Sequence, residues 1–260
     1  MAALPMHCTG AIFQPYDGEI RYDGAIRMTV ILGAIDGEIS SFLGAMTHRR
    51  DQRMRSFRYH QGDIDDSPVV VARSGVGKTL SAATTQHLID RFSPKRIIFT
   101  GIAGSLNAQL QVGDTLVAAD CLQYDLDAGA LGFQRGEVPY AGFRVLTCDP
   151  ELRRAAESFR PERGRLHVGR VLTGDRFVTD ADDPQWQTVW GELAGDAVEM
   201  EGASVALVAA WNSVPFQLVR TISDRATGID GINIRSFLRE ASENSLACVR
   251  HMLASLSVAP

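Results

Sequence analysis

From Met28 onward, short apolar runs alternate with segments whose apolar residues recur at helical spacing. "MTVILGA" reads as a buried strand, and "DGEISSFLGAM" as a helix with Asp36 as its cap. "RSFRYHQGDI" and "SPVVVARSG" read as two strands joined by a polar turn. "GKTLSAATTQHLIDRF" has the pattern of an amphipathic helix, stopped by Ser93-Pro94, and "KRIIFTGIAGSL" that of a buried strand breaking into glycines. "GDTLVAADCLQYDL" begins a further strand region, and Glu151–Phe159 is an Arg/Glu-rich helix. "LHVGRVLTGDRFV" is a strand ending in a Gly-Asp turn. "GDAVEMEGASVALVAAWNS" is a short strand running into an apolar helix, and "VPFQLVRTISDRA" a strand with a polar carboxyl end. A long helix from Ile234 to about Leu256 closes the chain.

Strands alternating with helices over this length predict one α/β domain, residues 28–260. Helices should flank a central mixed, largely parallel sheet in three layers. No linker and no long-period repeat interrupts the pattern. Residues 1–27 differ: they hold Pro5, Pro15 and the near-duplicate "YDGEIR" and "YDGAIR", without a core-facing pattern. A flexible N-terminal extension is expected there, and Met28 is a second candidate for the start of the chain.

Composition narrows the class. At 260 residues, 45% hydrophobic and 22% charged, the chain can bury a sizeable core. Its net charge of −5 is spread without a basic stripe, which argues against nucleic acid or an anionic membrane as partner. Cys8, Cys121, Cys148 and Cys248 are scattered, and the histidines lack metal-ligand spacing. A structural metal, a disulfide framework and a cofactor are therefore not expected. With no run of about 18 apolar residues and no signal-peptide pattern, the cytoplasm is the expected compartment.

"VVVARSGVGKTL" invites a P-loop reading, but the glycine that motif needs before Gly77 falls on Ala72. The loop is too short for a triphosphate. Ser74–Gly77 is instead a tight strand-to-helix turn with Lys78 solvated, or a place of close approach to some ligand.

Ligands of such sheets collect at the carboxyl ends of the strands. Those ends here read "GAIDGE", "SGVGK", "TGIAGS", "TGDRFV", "VEMEG" and "RTISD". They bring Glu38, Glu199, Glu201 and Asp224 together with two glycine turns and Phe177. Taken singly, each acid has a structural explanation. Glu38 suits a helix dipole, Asp224 a turn, and Glu199 and Glu201 could each pair with an arginine. Converging carboxylates with an aromatic face suit a polar ligand carrying a flat ring.

In order, "ILGAIDGEI", "SGVGK", "TGIAGSL", "VGDTLVA", "TGDRFV", "VEMEGASVA" and "VRTISD" resemble the purine nucleoside phosphorylase/nucleosidase superfamily over about Met28 to Leu256. The 5′-methylthioadenosine/S-adenosylhomocysteine nucleosidase branch is the most similar. The resemblance implies that Asp224 protonates N7 of the base, Glu38 activates water and Glu201 holds the ribose hydroxyls. An acid at N7 must carry its proton near neutral pH, so a raised Asp224 pKa is expected. It implies further that Phe177 stacks on adenine, the Val178 backbone meets the base edge, Met200 packs under the ribose and Ser223 orients Asp224. Ile35, Val76, Ala103, Gly104, Glu199 and Ile234 are implied as the remaining lining. A homodimer is also implied, with "GALGFQRGEVP" carrying Leu131 and Pro139 into the neighbouring pocket.

Two positions depart from the family pattern. Ile102 stands where the nucleosidases commonly have serine, and Leu131 where they have phenylalanine; Pro139 matches. The phosphorylases carry arginines in the first glycine turn and before the "TGIAG"-like turn. Here those places are acidic (Asp36, Glu38) and apolar (Ile98, Phe99), so water is the expected nucleophile rather than phosphate.

Overall fold

The computed structural model describes residues 28–226 and 234–257, so the expected extension at 1–27 lies outside the described residues. Strand β1 (Thr29–Gly33) is buried along its whole length, as a central parallel strand covered on both faces must be. It pairs in parallel with β4 (Ser67–Arg73) on one side and β5 (Arg96–Phe99) on the other. β3 (Phe57–Ile64) and β2 (Thr47–Met54) extend the β4 edge in antiparallel fashion. β2 is polar up to its last residue, "THRRDQRM", which is why hydrophobic patterning does not reveal it.

Beyond β5 comes β11 (Phe216–Asp224), every residue of which is buried. Its carboxyl half pairs in parallel with β6 (Ile102–Ser105), while its first half pairs antiparallel with β7 (Thr115–Gln123). β6 continues to β10 (Ala197–Glu199), then β9 (Leu166–Thr173), then β7, with the two-residue β8 (Leu146–Thr147) at the edge. Because β7 returns to β11, this half of the sheet closes into a ring of five strands. The "KRIIFTGIAGSL" segment is thus two strands, β5 and β6, broken at Thr100-Gly101.

Side chains alternate faces along a strand, and the core obeys that period. Val30, Leu32, Val70, Ala72, Ile97 and Phe99 face α2 (Lys78–Phe92) and α5 (Gly202–Trp211). Ile31, Val69, Val71 and Ile98 face α1 (Asp36–Ala45), α3 (Pro150–Glu157) and α6 (Ile234–Ser257). These are the three expected layers. α5 is apolar around its whole circumference, because sheet and α2 cover it on opposite sides. α4 (Pro184–Leu193), which the sequence reading passed over, packs Trp186 and Trp190 on Tyr124 and Val178 in a third apolar cluster.

Among the described residues, no helix is long and apolar enough to cross a membrane. Phe42 sits at the α1–sheet contact with no exposed surface. Phe42→Ala should lower unfolding stability by about 3–5 kcal/mol, read as a shift in urea midpoint at unchanged slope.

Candidate active site

The site forms where β1, β4, β9, β10 and β11 end and along the first residues of β6. β1 stops at Gly33, and the chain turns into α1 so that Glu38 lies in the first helical turn. Its carboxylate folds back instead of facing water. Oε2 accepts the N–H groups of Ala34 (2.6 Å) and Ile35 (3.2 Å), and Oε1 accepts that of Ile102 (2.9 Å). One side chain therefore ties the end of β1 to the start of β6. Gly101 makes room for it: a Cβ there would lie 2.5 Å from Glu38 Oε1. Burial pushes the Glu38 carboxyl above its ordinary range, while the charge of Arg220 and the Ile102, Ile35 and Ala34 amides pull it back. Asp36 does not cap α1, because Ile35 holds the capping position and Asp36 points outward to Arg73 (3.0 Å).

The two glutamates of "VEMEG" are separated by their surroundings. Glu199 pairs with Arg220 at 2.7 Å, with both side chains almost fully buried. The same carboxylate accepts the Thr173 hydroxyl and the N–H groups of Glu201 (3.1 Å) and Gly202 (2.8 Å). Glu199 lines the pocket, and both its oxygens accept hydrogen bonds from groups within the protein. Arg220 also stacks over Phe99, with its guanidinium carbon 4.2 Å from the ring centroid.

Among the described residues, Glu201 has no arginine partner. Its Oε1 accepts the Gly77 N–H at 2.7 Å, which explains the glycine turn. Gly75 and Gly77 both have positive φ (84° and 88°), so the "SGVGK" turn can aim an amide at a carboxylate. Burial and the neighbouring Glu199 charge push Glu201 up to about 8, against the Gly77 amide and Arg220. Lys78 is not solvated as a simple turn would leave it; its ammonium lies 2.6 Å from Asp125 Oδ1.

Asp224 ends β11. Its Oδ2 is 2.7 Å from Ser223 Oγ, and its Oδ1 accepts the Ala226 N–H at 2.6 Å. The carboxyl is therefore held by its turn and presented to the cavity at once.

These groups surround a cavity of about 160 Å³. Of the sequence-derived residues, Glu38, Glu201, Asp224, Ile35, Val76, Ala103, Gly104, Phe177, Val178, Glu199, Met200 and Ser223 all line it. Phe177 is 56% exposed, forming an open wall. Ile234 opens α6, but its side chain lies outside the described residues. Leu131 does not line this cavity and is 68% exposed; Pro139 lies in the same surface loop. Ala34, Ile102, Arg176 and Val198 also line the cavity. Arg176 was legible as part of "TGDRFV" but carried no separate signal; it pairs with Asp180 (2.7 Å) and stacks on Trp186 (5.0 Å). Arg220 stood in "VRTISD" without a role, because only the fold brings it to Glu199.

Residues 29–254 match the Phosphorylase superfamily, and the chain belongs to that superfamily. Relatives narrow the likeness. A 5′-methylthioadenosine/S-adenosylhomocysteine nucleosidase of Staphylococcus haemolyticus (strain JCSC1435) is 31% identical over 231 residues, covering 88% of this chain and 100% of the relative. The crystal structure of such a nucleosidase from Colwellia psychrerythraea 34H in complex with adenine superposes with a TM-score of 0.81 at 31% identity, over 89% of this chain and 96% of that one. A futalosine hydrolase mutant from Helicobacter pylori strain 26695 superposes with a TM-score of 0.80 at 28% identity, over 88% of this chain and 100% of that one.

Two outcomes are expected. Arg220→Ala strands the Glu199 charge in the interior and should cost about 3–5 kcal/mol of stability, measured by chemical denaturation. The second concerns pH. Between 4.5, the ordinary value for Glu201, and about 8, the folded protein holds a proton that the unfolded chain has released. The folded state then binds more protons, so stability falls as pH rises through this window and levels off above it. Urea melts at pH 5 and pH 8 should show a smaller fall for Glu201→Gln than for the wild type.

Proposed function

We propose that this protein hydrolyses the N-glycosidic bond of a 5′-substituted adenosine, 5′-methylthioadenosine or S-adenosylhomocysteine, releasing adenine and the 5′-substituted ribose. The observation that carries this reading is the convergence of three differently held carboxyl groups, Glu38, Glu201 and Asp224, on one cavity walled by Phe177. Likeness to nucleosidases over nearly the whole chain supports it.

Cleavage builds positive charge on the ribose and negative charge on the departing base. Asp224, steadied by Ser223 and the Ala226 amide, gives a proton to N7, so the base leaves neutral. Glu38 takes a proton from the attacking water. Burial makes its carboxylate a stronger base, and Arg220 nearby favours the ionised form it needs. Glu201, anchored through one oxygen to Gly77, offers the other to the ribose hydroxyls. Phe177 covers the base, the Val178 backbone meets its edge, and Met200 lies under the sugar. Ile35 and Val76 line the apolar end. No cofactor or metal enters this scheme.

Water rather than phosphate suits the lining. Among the described lining residues the acids are Glu38, Glu199, Glu201 and Asp224, and the one cation, Arg176, is already engaged by Asp180 and Trp186. A phosphate dianion would meet carboxylates without a free guanidinium to hold it. The exposed loop bearing Leu131 and Pro139 is assigned to the pocket of a second copy in a cytoplasmic homodimer. A futalosine-like substrate is the second reading. The leucine at 131, smaller than the family's phenylalanine, favours it, as does the similarity to a futalosine hydrolase.

Chromatography of products from methylthioadenosine, with and without phosphate, tests the proposal. Adenine and methylthioribose should appear at a rate independent of phosphate. A phosphate-dependent sugar 1-phosphate would overturn hydrolysis, and cleavage of futalosine alone would select the second reading. Asp224→Asn and Glu38→Gln should each lower kcat by about 10²–10⁴.

A further inference from the structure

Lys78 has no part in the scheme above, yet the fold gives it an elaborate set of partners. Its ammonium meets Asp125 Oδ1 at 2.6 Å, in a pair with only 20% and 28% of the side chains exposed. Its own N–H donates to Asp175 Oδ1 at 2.8 Å, and the Asp175 N–H donates to Asp125 Oδ2 at 2.9 Å. Its carbonyl accepts the Ser204 hydroxyl at 2.7 Å. Lys78, Asp125 and Asp175 thus form a closed circuit, in which each residue bonds both of the others.

The circuit joins three separate segments at the cavity. Lys78 follows Gly77, whose amide holds Glu201. Asp175 precedes Phe177 by two residues, on the turn that forms the aromatic wall. Asp125 begins the loop that runs on to Leu131 and Pro139. A surface ion pair by itself contributes little to stability. Here, though, both oxygens of Asp125 are used on different segments, which sets distances between them.

We infer that Lys78 is a positioning residue: through Asp125 and Asp175 it sets the spacing between the turn that holds Glu201 and the turn that carries Phe177, and locks both to the loop beginning at Asp125. The mechanistic consequence rests on the proposed nucleosidase reading. Ribose and base are then gripped at one fixed separation, and the loop assigned to the neighbouring pocket is registered to the same frame. Loosening the clasp should weaken the grip on substrate more than it slows chemistry, since no reacting atom touches Lys78.

The test compares the full-length wild type with Lys78→Met, Lys78→Arg, Asp125→Asn and the double variant Lys78→Met/Asp125→Asn. One readout is hydrogen exchange at the amides of Gly77, Lys78 and Asp175, each of which donates to a side-chain carboxylate. The other is KM and kcat for methylthioadenosine. Lys78→Met should speed exchange in both turns together and raise KM about tenfold, with kcat changed by less than about threefold. Lys78→Arg should recover most of the affinity, and the double variant should be no worse than either single one. Unchanged exchange at Asp175 in Lys78→Met, or additive effects in the double variant, would overturn the inference; if Lys78→Met does not fold, Asp125→Asn decides it by the same exchange readout at Lys78 and Asp175. A wild type that leaves methylthioadenosine intact while both turns loosen together would refute the substrate reading and leave the clasp standing.

Discussion

A buried ion pair, Arg220 with Glu199, is the constraint on which the rest of the site depends. Both side chains are nearly inaccessible to water, so each charge is tolerable only because the other is 2.7 Å away. The pair links the end of β10 to the middle of β11, the strand shared by the open sheet and the closed ring. Glu199 spends its remaining acceptor capacity on Thr173 and on the first amides of α5, fixing where that helix begins. Arg220 lays its face on Phe99. Five elements, β5, β9, β10, β11 and α5, meet at one pair of charges.

From that centre the acids of the cavity take distinct characters. Glu38 and Glu201 both feel Arg220, yet neither pairs with it directly; both are desolvated and partly compensated by backbone amides. Asp224 is held by a serine hydroxyl and by the turn that follows it. Three carboxyl groups can then share a small cavity without equivalent roles, because each has its own set of donors. Glycines make this workable: Gly101 lets Glu38 approach the backbone, and Gly77 turns an amide toward Glu201.

Much of this was legible before any coordinates. The strands β1, β4 and β5 carry apolar runs and the helix α2 ends at a clear Ser-Pro stop, so alternation alone exposed the layered α/β plan. β2 escaped because an edge strand of polar residues has no hydrophobic period, and β6 merged with β5 because one apolar run spans the break between them. The lining residues were found through motifs at strand ends. Which of Glu199 and Glu201 meets an arginine, and that Lys78 meets Asp125, were not, since carboxylates with different partners look alike in sequence.

Sequence alone therefore determined the fold class, the order of its strand-end turns and the acids that those turns deliver. It could do so because period, turn chemistry and motif spacing are local properties of the chain. Tertiary structure alone decided which acid meets an arginine, which meets an amide and where the lysine of the glycine turn goes. Those outcomes depend on partners far apart in the chain, such as Gly77 with Glu201 and Lys78 with Asp125, and on burial that no local pattern encodes.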